Sequence, residues 1–174
     1  MRPSPIQLRH VIYTKVAVAP TVSERDSPGP AIGFNFDGVK IHAKVGVAGK
    51  PEQQEDPRDF LIDLEITIDN AEGKTVPYNV DIGVTGVFNV LPGLPKEKRV
   101  NLVAVNGASI LYGAIREIVL SLTSRFASGA LTLPGMNFED IAQSSKNDDI
   151  HFTPSIQAVE QKTSTPRRAK KSSQ

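Results

Sequence analysis

The chain has 174 residues, room for one folded unit with a loose end, since domains most often hold roughly 100 to 150 residues. Its 20 basic and 19 acidic residues leave a formal charge of +1, which argues against a surface built throughout to grip nucleic acid. The absence of cysteine excludes disulfides, thiolate metal sites and a cysteine nucleophile. Residues 1–5 read as a flexible lead without the apolar core of a secretory signal, and no run approaches the ~18 apolar residues of a membrane span. A soluble cytosolic protein with no membrane insertion is the expectation.

From Ile6 to Val18 the even positions carry Ile6, Leu8, Ile12, Val16 and Val18, with Gln7, Arg9 and Lys15 between them, which predicts a half-buried strand blemished at His10 and Thr14. Residues 23–30, rich in Ser, Asp, Pro and Gly, predict a loop. A second strand opens with Phe34 and Phe36 on even positions and continues with Val39, Ile41, Ala43, Val45 and Val47 on odd ones. A one-residue slip turns every side chain over, so a bulge or bend is expected at Asp37 and Gly38.

After the polar stretch 49–57, Phe60, Ile62, Leu64, Ile66 and Ile68 share one face of a third strand, and Asp63, Glu65, Thr67 and Asp69 share the other. Residues 70–74 carry hairpin chemistry. The returning strand places Val76, Tyr78, Val80, Ile82, Val84, Phe88 and Val90 on even positions, with Pro77 confined to a strand start or an edge. Four strands joined by turns predict an antiparallel sheet rather than βαβ units.

Beyond residues 91–95 the period becomes helical: Ala108, Leu111, Ile115, Ile118, Leu122 and Phe126 form a stripe, with Ile110, Tyr112, Val119 and Leu120 off it. A helix apolar over most of its circumference needs cover on two sides, here the sheet and a partner subunit. Asn106 is the expected N-cap and Gly129 the expected exit, followed by a turn at 131–135 and a short second helix at 137–141. The domain is thus expected to span 6–143. Residues 144–174 read as a mostly disordered tail ending in Arg167, Arg168, Lys170 and Lys171, a solvated terminus in preference to a contact for acidic surfaces.

Little in this order of residues carries chemistry. His10, His42 and His151 are scattered without metal-ligand spacing, so no metal and no cofactor are expected. Gly83 and Gly86 lie inside an alternating strand, where a bulge or close packing accounts for them better than a phosphate cradle. Asp63, Glu65, Asp69 and Asp81 form an acidic surface if the third and fourth strands align, a solvated or docking face ahead of a catalytic one. Phe34, Phe36 and Phe138 flank breaks in pattern, where rings lining an open groove would accept many unfolded chains; each taken alone is more often core.

The segment from Asn106 to Ile118, with Ala114-Ile115-Arg116-Glu117, followed by Leu133-Pro134-Gly135-Met136-Asn137-Phe138-Glu139-Asp140-Ile141, resembles the C-terminal half of SecB-family export chaperones. Ile12-Tyr13-Thr14-Lys15 resembles their first strand, and Gly86-Val87-Phe88 the end of their fourth; the likeness covers about residues 6 to 142. The resemblance implies an α+β fold, a four-stranded antiparallel sheet followed by a long helix and a short C-terminal helix, assembled as a homotetrameric dimer of dimers. It implies no enzymatic activity, unfolded preproteins as clients and the SecA ATPase as a partner. Under it, Phe34, Phe36, Val39, Ile41, Phe138 and Ile141 are candidates for the polypeptide groove. Asp81, with Asp63 and Glu65, is the candidate motor-docking set, and Leu111, Ile115, Ile118, Val119 and Leu122 are candidates for the oligomer interface. Val16 and Pro20 stand where the family commonly carries acids, and the tail is basic, which weakens electrostatic docking. A chaperone dedicated to a toxin–antitoxin pair, a scaffold for folded partners and a basic-tailed nucleic-acid binder are the other readings.

Overall fold

A computed structural model describes residues 3–21, 36, 39–50, 53, 55–69 and 76–139, together with the backbone of 155–156. The elements run β1 (Ile6–Pro20), β2 (Ile41–Gly49), β3 (Asp59–Ile68), β4 (Tyr78–Val90), α1 (Lys96–Thr123) and β5 (Ser155–Ile156). The sheet order is β1-β4-β3-β2-β5 and every pairing is antiparallel.

Alternation in β2, β3 and β4 turns one row of side chains inward. Val45, Ile62, Leu64, Ile66, Val80, Ile82, Val84 and Phe88 are all buried, beneath α1, which crosses the sheet. The helix can lie close because two glycines leave room. A Cβ on Gly107 would fall 1.9 Å from Ile62 Cδ1, and one on Gly86 would fall 2.8 Å from Leu111 Cδ2. Gly86 therefore serves close packing, as expected.

β1 keeps its strand but not the simple alternation. Register shifts between Leu8 and His10 and between Tyr13 and Lys15 divide it into three pieces. Each extra residue reverses the facing of the next piece of strand. Paired residues share a face. Leu8, Tyr13 and Val16, opposite Phe88, Val84 and Ile82, therefore point to the helix side, whereas Ile12, opposite Thr85, points away. The polar blemishes at His10 and Thr14 adjoin the bulges. Gly83 matches the second bulge, since a Cβ there would lie 2.7 Å from Thr14 Oγ1.

Several expected boundaries move. β2 begins at Ile41 rather than at Phe34. Val39 N donates to Phe36 O at 3.0 Å, which brackets the switch between the two patterns, while Phe34, Asp37 and Gly38 lie outside the described residues. The helix begins at Lys96 with Pro95 as its N-cap, ten residues before Asn106, whose Nδ2 donates to Leu102 O at 2.9 Å inside the helix. The polar first turn, 96–99, hides this start from a search for apolar periodicity, and a proline's fixed φ suits a helix entrance. The helix stops at Thr123; Gly129, with φ of 89°, ends the turn beyond it.

Residues 131–135 form no mere surface turn. Leu131 and Leu133 are fully buried, and the segment is tied back by three bonds: Leu131 N to Thr123 Oγ1 at 2.7 Å, Tyr112 OH to Pro134 O at 2.6 Å and Arg116 Nε to Leu133 O at 3.0 Å. Of the second helix expected at 137–141, Asn137 and Phe138 are not helical, Glu139 is, and Asp140 and Ile141 lie outside the described residues. β5 falls within the stretch read as a tail, most of which also lies outside them.

Candidate functional site

Every strongly apolar inner position of the central strands is spent on the core, so a binding surface must come from what remains. Phe36, Val39 and Ile41 are half-buried and pack against that core from the start of β2. They keep apolar area for a ligand, as a groove floor requires. Phe138 does not. It is 1% exposed and meets Tyr112 edge to face at 5.6 Å, so it is a core ring and not part of an open groove. Burial pushes the Tyr112 hydroxyl up to about 12, which keeps it neutral as a donor to Pro134. Phe34 and Ile141 lie outside the described residues.

The helix candidates divide in the same way. Leu111, Ile115 and Val119 are fully buried within one chain, against the sheet, and leave nothing for a partner subunit. Ile118 and Leu122 are half-buried, and the exposed apolar residues are instead Val100, Ile110 and Leu120. α1 is long and apolar enough to cross a membrane by length and composition, but its Leu111–Val119 side is occupied by the sheet. A shallow recess lined by Leu94, Leu102 and Val105 with Glu97, Lys98, Asn101 and Asn106 opens beside its first turns.

β1 forms one edge of the sheet and pairs only with β4 among the described residues. Leu8, Ile12, Tyr13 and Val16 along it are exposed, Ile12 by 54%. A long edge strand with free backbone groups and exposed apolar side chains pairs readily with another strand. Tyr13 leans on the helix through a bond from its hydroxyl to Ala114 O at 3.1 Å; burial and the nearby Glu117 carboxylate raise its pKa.

The register aligns the outward faces of β3 and β4 and so assembles the acidic surface. Asp63 stands opposite Thr85, and Glu65 opposite Gly83, diagonal to Asp81. The carboxylates are not free, however. Thr85 Oγ1 donates to Asp63 at 2.5 Å, Lys44 pairs with Glu65 at 3.3 Å, and Lys15 pairs closely with Asp81. The Asp81 bond holds the Lys15 ammonium above its usual range. Two of the three docking candidates thus carry a lysine partner from a neighbouring strand. Among the described residues no group of three or more His, Asp or Glu side chains stands in metal-holding geometry.

Residue patterns did not single out Arg99. Its side chain is 8% exposed, and it donates to Asp56 Oδ1 at 2.5 Å, Pro57 O at 3.1 Å and Leu94 O at 2.9 Å, clamping the approach to β3 onto the start of α1. Arg99 and Arg58 hold the Asp56 carboxyl below its ordinary pKa. An arginine in the first turn of a helix, where the macrodipole favours acids instead, becomes a signal only once the helix start at Lys96 is known.

A model of the SecB family, described as preprotein translocase subunit SecB, matches residues 35–149. The protein-export protein SecB of Acidithiobacillus ferrooxidans is 28% identical over 130 residues, covering 75% of this chain and 78% of its own length. That of Thioalkalivibrio sulfidiphilus is 31% identical over 80 residues, 46% of this chain and 47% of its own. Among solved structures, a SecB-like chaperone of Mycobacterium tuberculosis, in complex with a ChAD peptide from an antitoxin, is similar in fold with a TM-score of 0.54 at 21% identity, covering 76% of this chain and 91% of that one.

Proposed function

The chain belongs to the SecB family and has a chaperone role, and from that premise we propose that it is a non-enzymatic, cytosolic holdase that keeps unfolded precursor polypeptides competent for export. The observation that carries the reading is apolar surface left open beside a sealed core. Phe36, Val39 and Ile41 stay half-buried while the inner row of β3, directly beside β2, is closed. Open apolar contact suits many sequences because it asks for no single side-chain shape.

In this reading the chain works as a homotetramer. The edge of β1, unpaired among the described residues, and the outward residues Ile110, Ile118, Leu120 and Leu122 of α1 support that assembly. Delivery to the SecA motor would use the face carrying Asp63, Glu65 and Asp81, with a field diluted by Lys15 and Lys44. Service to one dedicated client is not favoured, since the curated relatives are export chaperones.

The test is suppression of aggregation of an unrelated unfolded precursor by the purified full chain, without nucleotide. The double variant Phe36→Asp, Ile41→Asp is expected to weaken client binding about tenfold while the oligomer stays intact; activity confined to folded partners would favour a scaffold instead. Asp81→Lys is expected to weaken SecA binding and spare client holding. Unchanged SecA affinity removes Asp81 from the docking face.

A further inference from the structure

β2 closes the four-stranded sheet opposite β1, so its outer edge presents backbone donors and acceptors that need partners. The same chain supplies part of the cover. Ser155 and Ile156 run antiparallel to it, Ile156 opposite Ala43 and Ser155 opposite Lys44. Pro154 precedes Ser155 in the sequence, and a proline has no amide hydrogen to add to a ladder. The remainder of β2 toward Gly49 has no partner on that edge among the described residues.

The position matters more than the length. Ala43 and Lys44 lie just beyond Ile41, which with Val39 and Phe36 forms the half-buried apolar surface at the start of β2. A segment paired there lies beside that surface and occupies the backbone groups next to it.

We propose that the C-terminal segment around Ser155 and Ile156 is an internal occupant of the client surface, docked by strand addition on β2 and displaced when an unfolded polypeptide binds. The proposal rests on the chaperone reading. The tether keeps the segment at an effective concentration on the order of millimolar, so even a weak pairing is populated. A two-residue pairing yields to a client that runs along more of the nine-residue strand. The chain thereby refuses brief, weak contacts and accepts long extended ones. Apparent client affinity falls by the fraction of molecules in which the edge is open.

The test uses the full chain and the double variant Ser155→Pro, Ile156→Pro, which removes both amide donors of β5. Amide hydrogen exchange by NMR at Ala43, Lys44 and Val45 is compared with the affinity for reduced, carboxymethylated α-lactalbumin, a permanently unfolded probe. With an unchanged thermal midpoint, the variant is expected to exchange faster at the edge amides and to bind the probe at least about threefold more tightly. Added probe is expected to restore protection. Unchanged exchange and affinity, with the probe still bound, would overturn the internal occupant and leave the chaperone reading standing. Protection that disappears on dilution would assign the strand to a second copy and overturn the proposal. Failure of both proteins to bind the probe would remove the chaperone reading and the inhibitory role together.

Discussion

β1 and β3 are comparable in apolar content and opposite in what becomes of it. In β3 the alternation is unbroken and Phe60, Ile62, Leu64, Ile66 and Ile68 are all at most 3% exposed. In β1, longer by five residues, two bulges scatter the apolar set and Leu8, Ile12, Tyr13 and Val16 stay exposed. The difference lies in neighbours rather than in composition. β3 has a strand on each side and a helix above it, whereas among the described residues β1 has one strand, and α1 covers it only in part. An amphipathic strand advertises a need for cover. Where its own chain cannot meet that need, another surface must.

The largest expected effect breaks the comparison on the β3 side. Ile62→Ala removes a fully buried side chain beneath Gly107 and is expected to cost about 2 to 5 kcal/mol in urea unfolding. Val16→Ala, 45% exposed in the single chain, should cost under about 1 kcal/mol there. A larger and concentration-dependent loss would show that a partner copy covers β1.

Arg99→Met comes next, because it releases the clamp between the approach to β3 and α1. Stability is expected to fall by about 2 kcal/mol as the bonds to Asp56, Pro57 and Leu94 disappear. No loss in calorimetry would mean that packing alone positions the linker.

The smallest effect is the pH dependence of the same clamp. Hydrogen bonds from Arg99 and Arg58 lower the folded pKa of Asp56 below 3.8. The unfolded chain therefore takes up the proton first as pH falls. The carboxylate's contribution is complete above the unfolded value and is lost as pH drops through the folded one. Unfolding measured between pH 5 and pH 2 should thus be less steep in pH for Asp56→Asn than for the parent. Identical slopes would place the acid-sensitive group elsewhere.

The parts of the fold that were legible in the sequence were those decided by local periodicity. β3 and β4 stood out because one face of each repeats every second residue, and Pro77 falls just before β4, as a residue without an amide hydrogen should. The start of α1 was not legible, because its first turn is polar and its entrance depends on a proline rather than on a side-chain cap. The candidate site was legible only in part. Phe36, Val39 and Ile41 kept open area, but Phe138 was claimed by Tyr112, and Leu111, Ile115 and Val119 by the sheet. Helical spacing identifies a stripe without saying whether one chain or two will cover it.

By itself the sequence determined four antiparallel strands, a long helix after them, an acidic row on the outward face of β3 and the absence of any cysteine chemistry. These come from side-chain period and residue type, which are properties of short segments. Only the tertiary structure decided that lysines from β1 and β2 would partner that acidic face, that Leu131 and Leu133 would complete the core, and that Leu8, Ile12, Tyr13 and Val16 of β1 would stay exposed among the described residues. Those outcomes depend on strand order, register shifts and the reach of one helix over a sheet, which bring together residues far apart in the chain and leave no mark in any local stretch of it.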